Sequence, residues 1–165
     1  MIQRIQTLWL AFVILITVAT FFFPIVDFSF DLKGMQHVEP YGLLLKDKSP
    51  DSMQLVQTTP AWSLIFMQLG ISLLALISIF LYKSRQLQLK FVAGGILLIT
   101  MYVAYLLFIK IDGLEKEIAT LYSAPIVTYN KISICFPVLQ ILLMILSQRA
   151  IRKDERLVRS SDRLR

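Results

Sequence analysis

Four uncharged apolar blocks, each long enough or nearly long enough to cross a bilayer, constrain this chain more than any other feature. The first runs from Thr7 to Val26 and holds thirteen Leu, Ile, Val or Phe residues. At about 1.5 Å per residue it covers about 30 Å, the thickness of bilayer hydrocarbon. The second covers residues 61–82, where Thr59 is placed to cap, Pro60 suits the first helical position and Trp62 belongs at headgroup level. The third covers 91–109 and stops at Lys110. The fourth, 132–148, is the shortest, and Pro137 within it is expected to kink or loosen one turn. Barrel strands alternate apolar and polar residues, whereas these blocks are continuously apolar. The fold class that follows is an all-α integral membrane protein, a four-transmembrane-helix bundle whose small extracytoplasmic loop has the pattern of a β-hairpin.

Composition agrees. Of 165 residues, 56% are hydrophobic, against about 45–50% in an ordinary soluble domain. The length suits one domain. A cleavable signal peptide is the competing reading of the first block, with Arg4 as its basic region and Thr17-Val18-Ala19 as a passable cleavage site. The apolar run continues through Phe21, Phe22 and Phe23, beyond a typical signal core, which favours a retained helix.

The net charge of +6 is explained by where the basic residues fall. Arg4, then Lys83, Arg85 and Lys90, then seven residues after Gln148 lie on one side of the blocks. Lys33, Lys46, Lys48, Lys110, Lys116 and Lys131 lie on the other side, spread over about twice as much chain. The positive-inside rule places both termini and the Lys83–Lys90 turn in the cytoplasm. This asymmetry accounts for the basic balance without a nucleic-acid partner.

Two outer loops, 27–60 and 110–131, and a cytoplasmic tail, 149–165, complete the chain. Val26 to Leu32 alternates apolar and polar residues as a half-buried strand does, and Tyr41 to Leu45 is placed to pair with it across Lys33-Gly34. A lone hairpin is marginal, so it is expected to lean on the membrane surface or a partner. Leu114, Ile118 and Leu121 fall on one face of a short amphipathic helix, expected at the outer interface.

Counting depth from the block ends brings Thr20, Gln68, Tyr102, Tyr105 and Gln140 to one layer, about 9 to 13 Å below the outer boundary. The layer is read first as interhelical hydrogen bonding, and second as a small polar cavity that binds a headgroup or peptide segment. Gly94-Gly95 reads as a point of close helix approach. The tail residues Arg149, Arg152, Lys153, Arg156, Arg159, Arg163 and Arg165 read as contacts to anionic lipid headgroups or to a partner protein. None of the four blocks holds a charged residue, which disfavours proton-coupled or voltage-driven mechanisms. His37 stands apart from Cys135 and from any second histidine, and reads as a solvated loop residue. No catalytic, cofactor or metal-binding constellation is expected.

The opening Met1-Ile2-Gln3-Arg4-Ile5-Gln6-Thr7 and the ending Arg152-Lys153-Asp154-Glu155-Arg156-Leu157-Val158-Arg159-Ser160-Ser161-Asp162-Arg163-Leu164-Arg165 resemble a family of Bacteroidota membrane proteins, domain of unknown function 4293. The resemblance covers the full chain. It implies a four-helix protein of the inner membrane and supplies no catalytic residues. The loop order is also similar in outline to claudin-like tetraspan proteins, but the outer loop lacks their paired cysteines, so only topology is shared. The expected function is that of a non-enzymatic accessory or scaffold subunit contacting the lipid bilayer and other membrane proteins. The alternative is a small-molecule or lipid-handling protein that uses the polar layer.

Overall fold

The computed structural model describes residues 3–32, 35–44, 61–121 and 126–162. Its helices are α1 (Gln3–Thr20), α2 (Trp62–Phe80), α3 (Arg85–Tyr105), α4 (Asp112–Leu121) and α5 (Lys131–Asp162). Its strands are β1 (Val26–Leu32), β2 (Met35–Tyr41) and β3 (Ile126–Tyr129). Helix α1 packs on α2 and α5, and α3 packs on α2 and α5, so four helices close a ring around one core. Leu10, Val13, Leu64, Ile71, Val92, Ile99 and Met144 fill it from all four sides.

Three helical stretches are long and apolar enough to cross a membrane: Trp62–Phe80, Arg85–Lys116 and Lys131–Leu157. The first apolar helix is shorter than its sequence block. It ends at Thr20 instead of Val26, and Phe21 and Phe22 close it with N–H bonds to the Val18 and Ala19 carbonyls at 3.2 and 3.0 Å. Pro24 explains the difference: it disfavours helical geometry at Phe23, and the chain passes directly into β1.

Helix α2 begins at Trp62, with Ala61 as its cap. Thr59 and Pro60 lie outside the described residues. At its other end the helix tightens through a 3₁₀ turn, Leu81–Lys83, and only Ser84 separates that turn from α3. The expected Lys83–Lys90 turn is therefore much shorter. Arg85 and Lys90 sit within the first two turns of α3, where a search for uncharged blocks does not look.

The far end of α3 departs further. Lys110 does not stop it; a π-helical segment, Leu106–Ile111, carries the backbone without a break into α4. The amphipathic helix expected near residues 114–121 thus continues α3. The ion pair of Lys116 with Asp112, at 2.7 Å, holds one turn of its exposed face. Helix α5 is likewise continuous over 32 residues, through Pro137 and on into the tail. Asn130 caps it, its Oδ1 accepting the Ile132 N–H at 3.1 Å.

Strand β1 forms where the alternation placed it, with Val26 and Phe28 buried. Its partner differs. Met35–Tyr41, not Tyr41–Leu45, pairs antiparallel with it, from Val26 opposite Tyr41 to Leu32 opposite Met35. A two-residue connection makes the nearest following residues the ones that can reach. The second edge of β1 is covered by β3, with Val26 opposite Tyr129 and Ser29 opposite Ile126. The hairpin thus gains a third strand from the other loop, giving sheet order β2-β1-β3. This sheet lies where α1 ends and α5 begins, and that end of the bundle is called the sheet end below.

Candidate functional site

Several polar side chains of the bundle are buried, and the structure distributes the five predicted residues among three environments. Gln140 is fully buried, and its Nε2 donates to Thr17 Oγ1 at 3.0 Å, joining α5 to α1. Thr17 in turn donates to the Val13 carbonyl at 2.9 Å, so the hydroxyl is both donor and acceptor. Thr20 is buried and satisfied locally, donating to the Thr17 carbonyl at 2.7 Å. Gln68 is fully buried, and among the described residues neither its Oε1 nor its Nε2 has a partner.

Tyr102 is buried and lies with Tyr105 near Tyr41, which the sheet inserts toward α3. Tyr105 is half-buried and carries the Lys110 ammonium 6.0 Å from its ring centroid. Thr20 and Tyr102 line one cavity at the sheet end; Gln68, Tyr105 and Gln140 do not. The five side chains thus do not line one common cavity. Depth along a helix axis does not fix azimuth, and these five side chains point in different directions around the ring.

Sequence reasoning missed Thr17, although it stands three residues before Thr20 on the same face. The unpartnered Gln68 also reverses an expectation. If the layer were interhelical bonding throughout, Gln68→Leu would weaken the fold. A buried amide without partners costs about 1–3 kcal/mol, so Gln68→Leu is expected to stabilise by up to about that amount. Gln140→Leu loses the bond to Thr17 but also removes an Oε1 with no partner among the described residues, so it is expected to destabilise by only about 0.6 kcal/mol. Thermal unfolding of the two single variants in detergent compares the signs directly.

Tyr41 supplies a second measurable property. Its phenol is pushed up to about 12, first by burial and then by the neighbouring Tyr105. The unfolded phenol titrates near pH ~10. The folded state therefore holds this proton more tightly, and the stability it contributes is complete below pH ~10 and is lost as pH rises toward 12. Tyr41→Phe is expected to flatten the alkaline limb of a stability profile measured from pH 9 to 12.

The opposite end of the bundle is fixed by one ion pair. Arg85, the first residue of α3, places its Nη2 at 2.9 Å from Asp154 Oδ2 and its Nη1 at 2.8 Å from the Asp154 carbonyl oxygen. Gln88, one turn on, is buried and donates to the Ser78 carbonyl at 2.9 Å, tying α3 to α2. Ile151 is fully buried beside this junction. The clamp was legible in part: Gln140, Met144, Ser147, Ile151 and Asp154 recur every three or four residues and continue one buried stripe past the apolar block.

On the same stretch of α5 as the clamp, Arg149, Arg152, Lys153 and Arg156 line a groove together with Leu157. Arg159 lies on α5 with its side chain outside the described part, and Arg163 and Arg165 lie outside the described residues. The four described cations stand on a helix held by Arg85, which makes them a fixed basic face.

No curated protein and no solved structure matches this chain. The profile of the domain of unknown function DUF4293 matches residues 2–164, a stretch that takes in the bundle, the sheet and the basic helix together, and the chain belongs to that family.

Proposed function

We propose that this protein spans the inner membrane of a bacterium with four helices, both termini in the cytoplasm, and serves as a non-enzymatic accessory or scaffold subunit. The observation that carries the membrane reading is an inverted surface. Gln6, Thr17, Gln68, Gln88, Gln140 and Ser147 are buried, while Phe12, Phe66, Leu73, Leu97, Met101 and Leu142 are exposed. A monomer in water does not leave such a belt uncovered, because each exposed side chain forfeits about 1.5–3 kcal/mol of transfer free energy. In hydrocarbon the preference is reversed, and polar groups gain by facing one another. On this reading α1 spans with the help of the Phe21–Phe23 segment.

The scaffold reading is supported by the two ends. One carries a three-stranded sheet with Val38 and Ile126 exposed; the other carries the clamped basic face. Between them α3 and α5 approach closely, Gly95 against Met144, which leaves little room there for a transported substrate. The basic face fits anionic headgroups or an acidic surface of another membrane protein. The lipid-handling alternative is favoured only by the cavity at the sheet end.

Two measurements test the proposal. A topology reporter fused after Lys46 is expected to read periplasmic and one after Arg165 cytosolic; the reverse sinks the orientation. Proteins co-purifying in mild detergent with the full chain are expected to be lost, wholly or in part, from the R152E/K153E/R156E variant. Identical recovery from both would remove the tail from the interface.

A further inference from the structure

Between α3 and α5 at the sheet end lies a cavity of about 100 Å³, walled by Val103, Leu106, Phe136 and Pro137. The π-helical segment Leu106–Ile111 widens one wall, and such single-turn insertions are frequent at functional sites. In the other wall α5 runs on through Pro137, which has no N–H to offer the Ser133 carbonyl. Ser133 instead turns its hydroxyl to the Pro24 carbonyl, tying this wall to the start of the sheet.

The rim is open and apolar: Leu107, Ile134 and Val138 are 40%, 44% and 56% exposed. They continue the outer belt of apolar side chains without a polar break. One helical turn closer to the sheet end, the character changes on both helices. Lys110 follows Leu107 by three residues, and Lys131 precedes Ile134 by three, so a cation stands over each wall. The Tyr105 ring beneath the Lys110 ammonium holds it by a cation–π contact at 6.0 Å. Asp112, close by in sequence, is already engaged by Lys116.

We propose that this cavity holds one acyl chain of an anionic phospholipid from the leaflet on the sheet side, with its phosphate between Lys110 and Lys131. The inference rests on the bilayer reading above and goes beyond it by naming a lipid class and a seat. Size admits a short stretch of one chain: an apolar cavity of about 150 Å³ binds benzene, and this smaller one takes about three methylenes, with the rest of the chain along the rim. Charge supports the anionic class, since a zwitterionic headgroup gains less from two lysines.

The test uses the full chain in phosphatidylcholine nanodiscs doped with phosphatidylglycerol bearing a diazirine on its acyl chain. A second set carries the same labelled chain on phosphatidylcholine. Crosslinked residues are mapped by mass spectrometry after irradiation. The phosphatidylglycerol probe is expected to label residues 102–111 and 133–138 well above Phe66 and Leu73 on α2. Lys110→Gln and Lys131→Gln are each expected to reduce that labelling about fivefold, toward the phosphatidylcholine level. Val103→Trp, which fills the cavity, is expected to abolish it while leaving α2 labelled.

Equal labelling of these segments by both probes overturns the headgroup assignment. Uniform labelling of α2, α3 and α5 that Val103→Trp leaves unchanged overturns the seat. Failure of either probe to label any helix of intact protein rejects the bilayer reading itself, a separate outcome.

Discussion

Gly95→Leu is expected to cost about 3 kcal/mol or more, the upper range for overpacking a filled core. A Cβ placed on Gly95 meets the Met144 methyl at 2.8 Å, and Met144 is itself fully buried between α3 and α5. Alanine at 95 displaces only the end of a flexible side chain and is expected to cost under about 1 kcal/mol. Leucine requires the helices to separate. Gly94 provides the control, because a Cβ there meets nothing within 4 Å. Gly94→Ala is expected to be neutral or to stabilise by up to about 1 kcal/mol through helix propensity. Melting in detergent ranks the three variants, and Gly95→Leu combined with Met144→Ala is expected to recover part of the loss. Equal effects at positions 94 and 95 would show that the α3–α5 contact is placed wrongly.

Removing Arg85 is expected to produce the other large effect. Exposed ion pairs contribute up to ~1 kcal/mol and breaking buried ones costs ~3–5 kcal/mol. The Arg85 and Asp154 side chains are 23% and 12% exposed, which places Arg85→Ala between those limits, at about 2 kcal/mol after discounting for solvent. Arg85→Lys is expected to recover little, because one ammonium cannot reach both the carboxylate and the backbone carbonyl as the guanidinium fork does. The local readout is hydrogen exchange of amides 149–162, expected to speed in Arg85→Ala and Asp154→Ala alike. If the double variant adds the two losses in full, the residues do not interact.

How much of this was legible in the sequence depends on which physical signal was strong. Hydrophobic blocks specify the four packed helices well, because burial or lipid contact of twenty apolar residues outweighs any local preference. They specify ends poorly. Pro24 ends α1 six residues before the apolar run does, and charged Arg85 and Lys110 lie inside helix although they lie outside the uncharged run. The alternation from Val26 to Leu32 identified a strand correctly, because period two is unambiguous. Its second partner, Ile126–Tyr129, is four residues long and comes from a distant loop, so no local pattern announces it. Membership of the DUF4293 family was visible in the two chain ends, and the match runs through residues 2–164.

The polar interior was the least legible part. Thr20, Gln68, Tyr102, Tyr105 and Gln140 were chosen by residue type and depth, and four of the five are buried. Their partners were not foreseeable. Gln140 meets Thr17 because α1 and α5 are neighbours in the ring, and ring order is a tertiary fact. Likewise the ion pair between Arg85 and Asp154 joins positions 69 residues apart.

The unbroken course of α5 has a mechanical corollary. Its 32 residues make a rod of about 48 Å. Its first turn is fastened to the sheet through Ser133 and Pro24. While the rod stays straight, a tilt of about 10° pivoting at that joint swings the basic end sideways by about 8 Å. A pull on Arg156 is thereby geared to a much smaller rotation of the strand that begins at Ile126, at the other end of the rod.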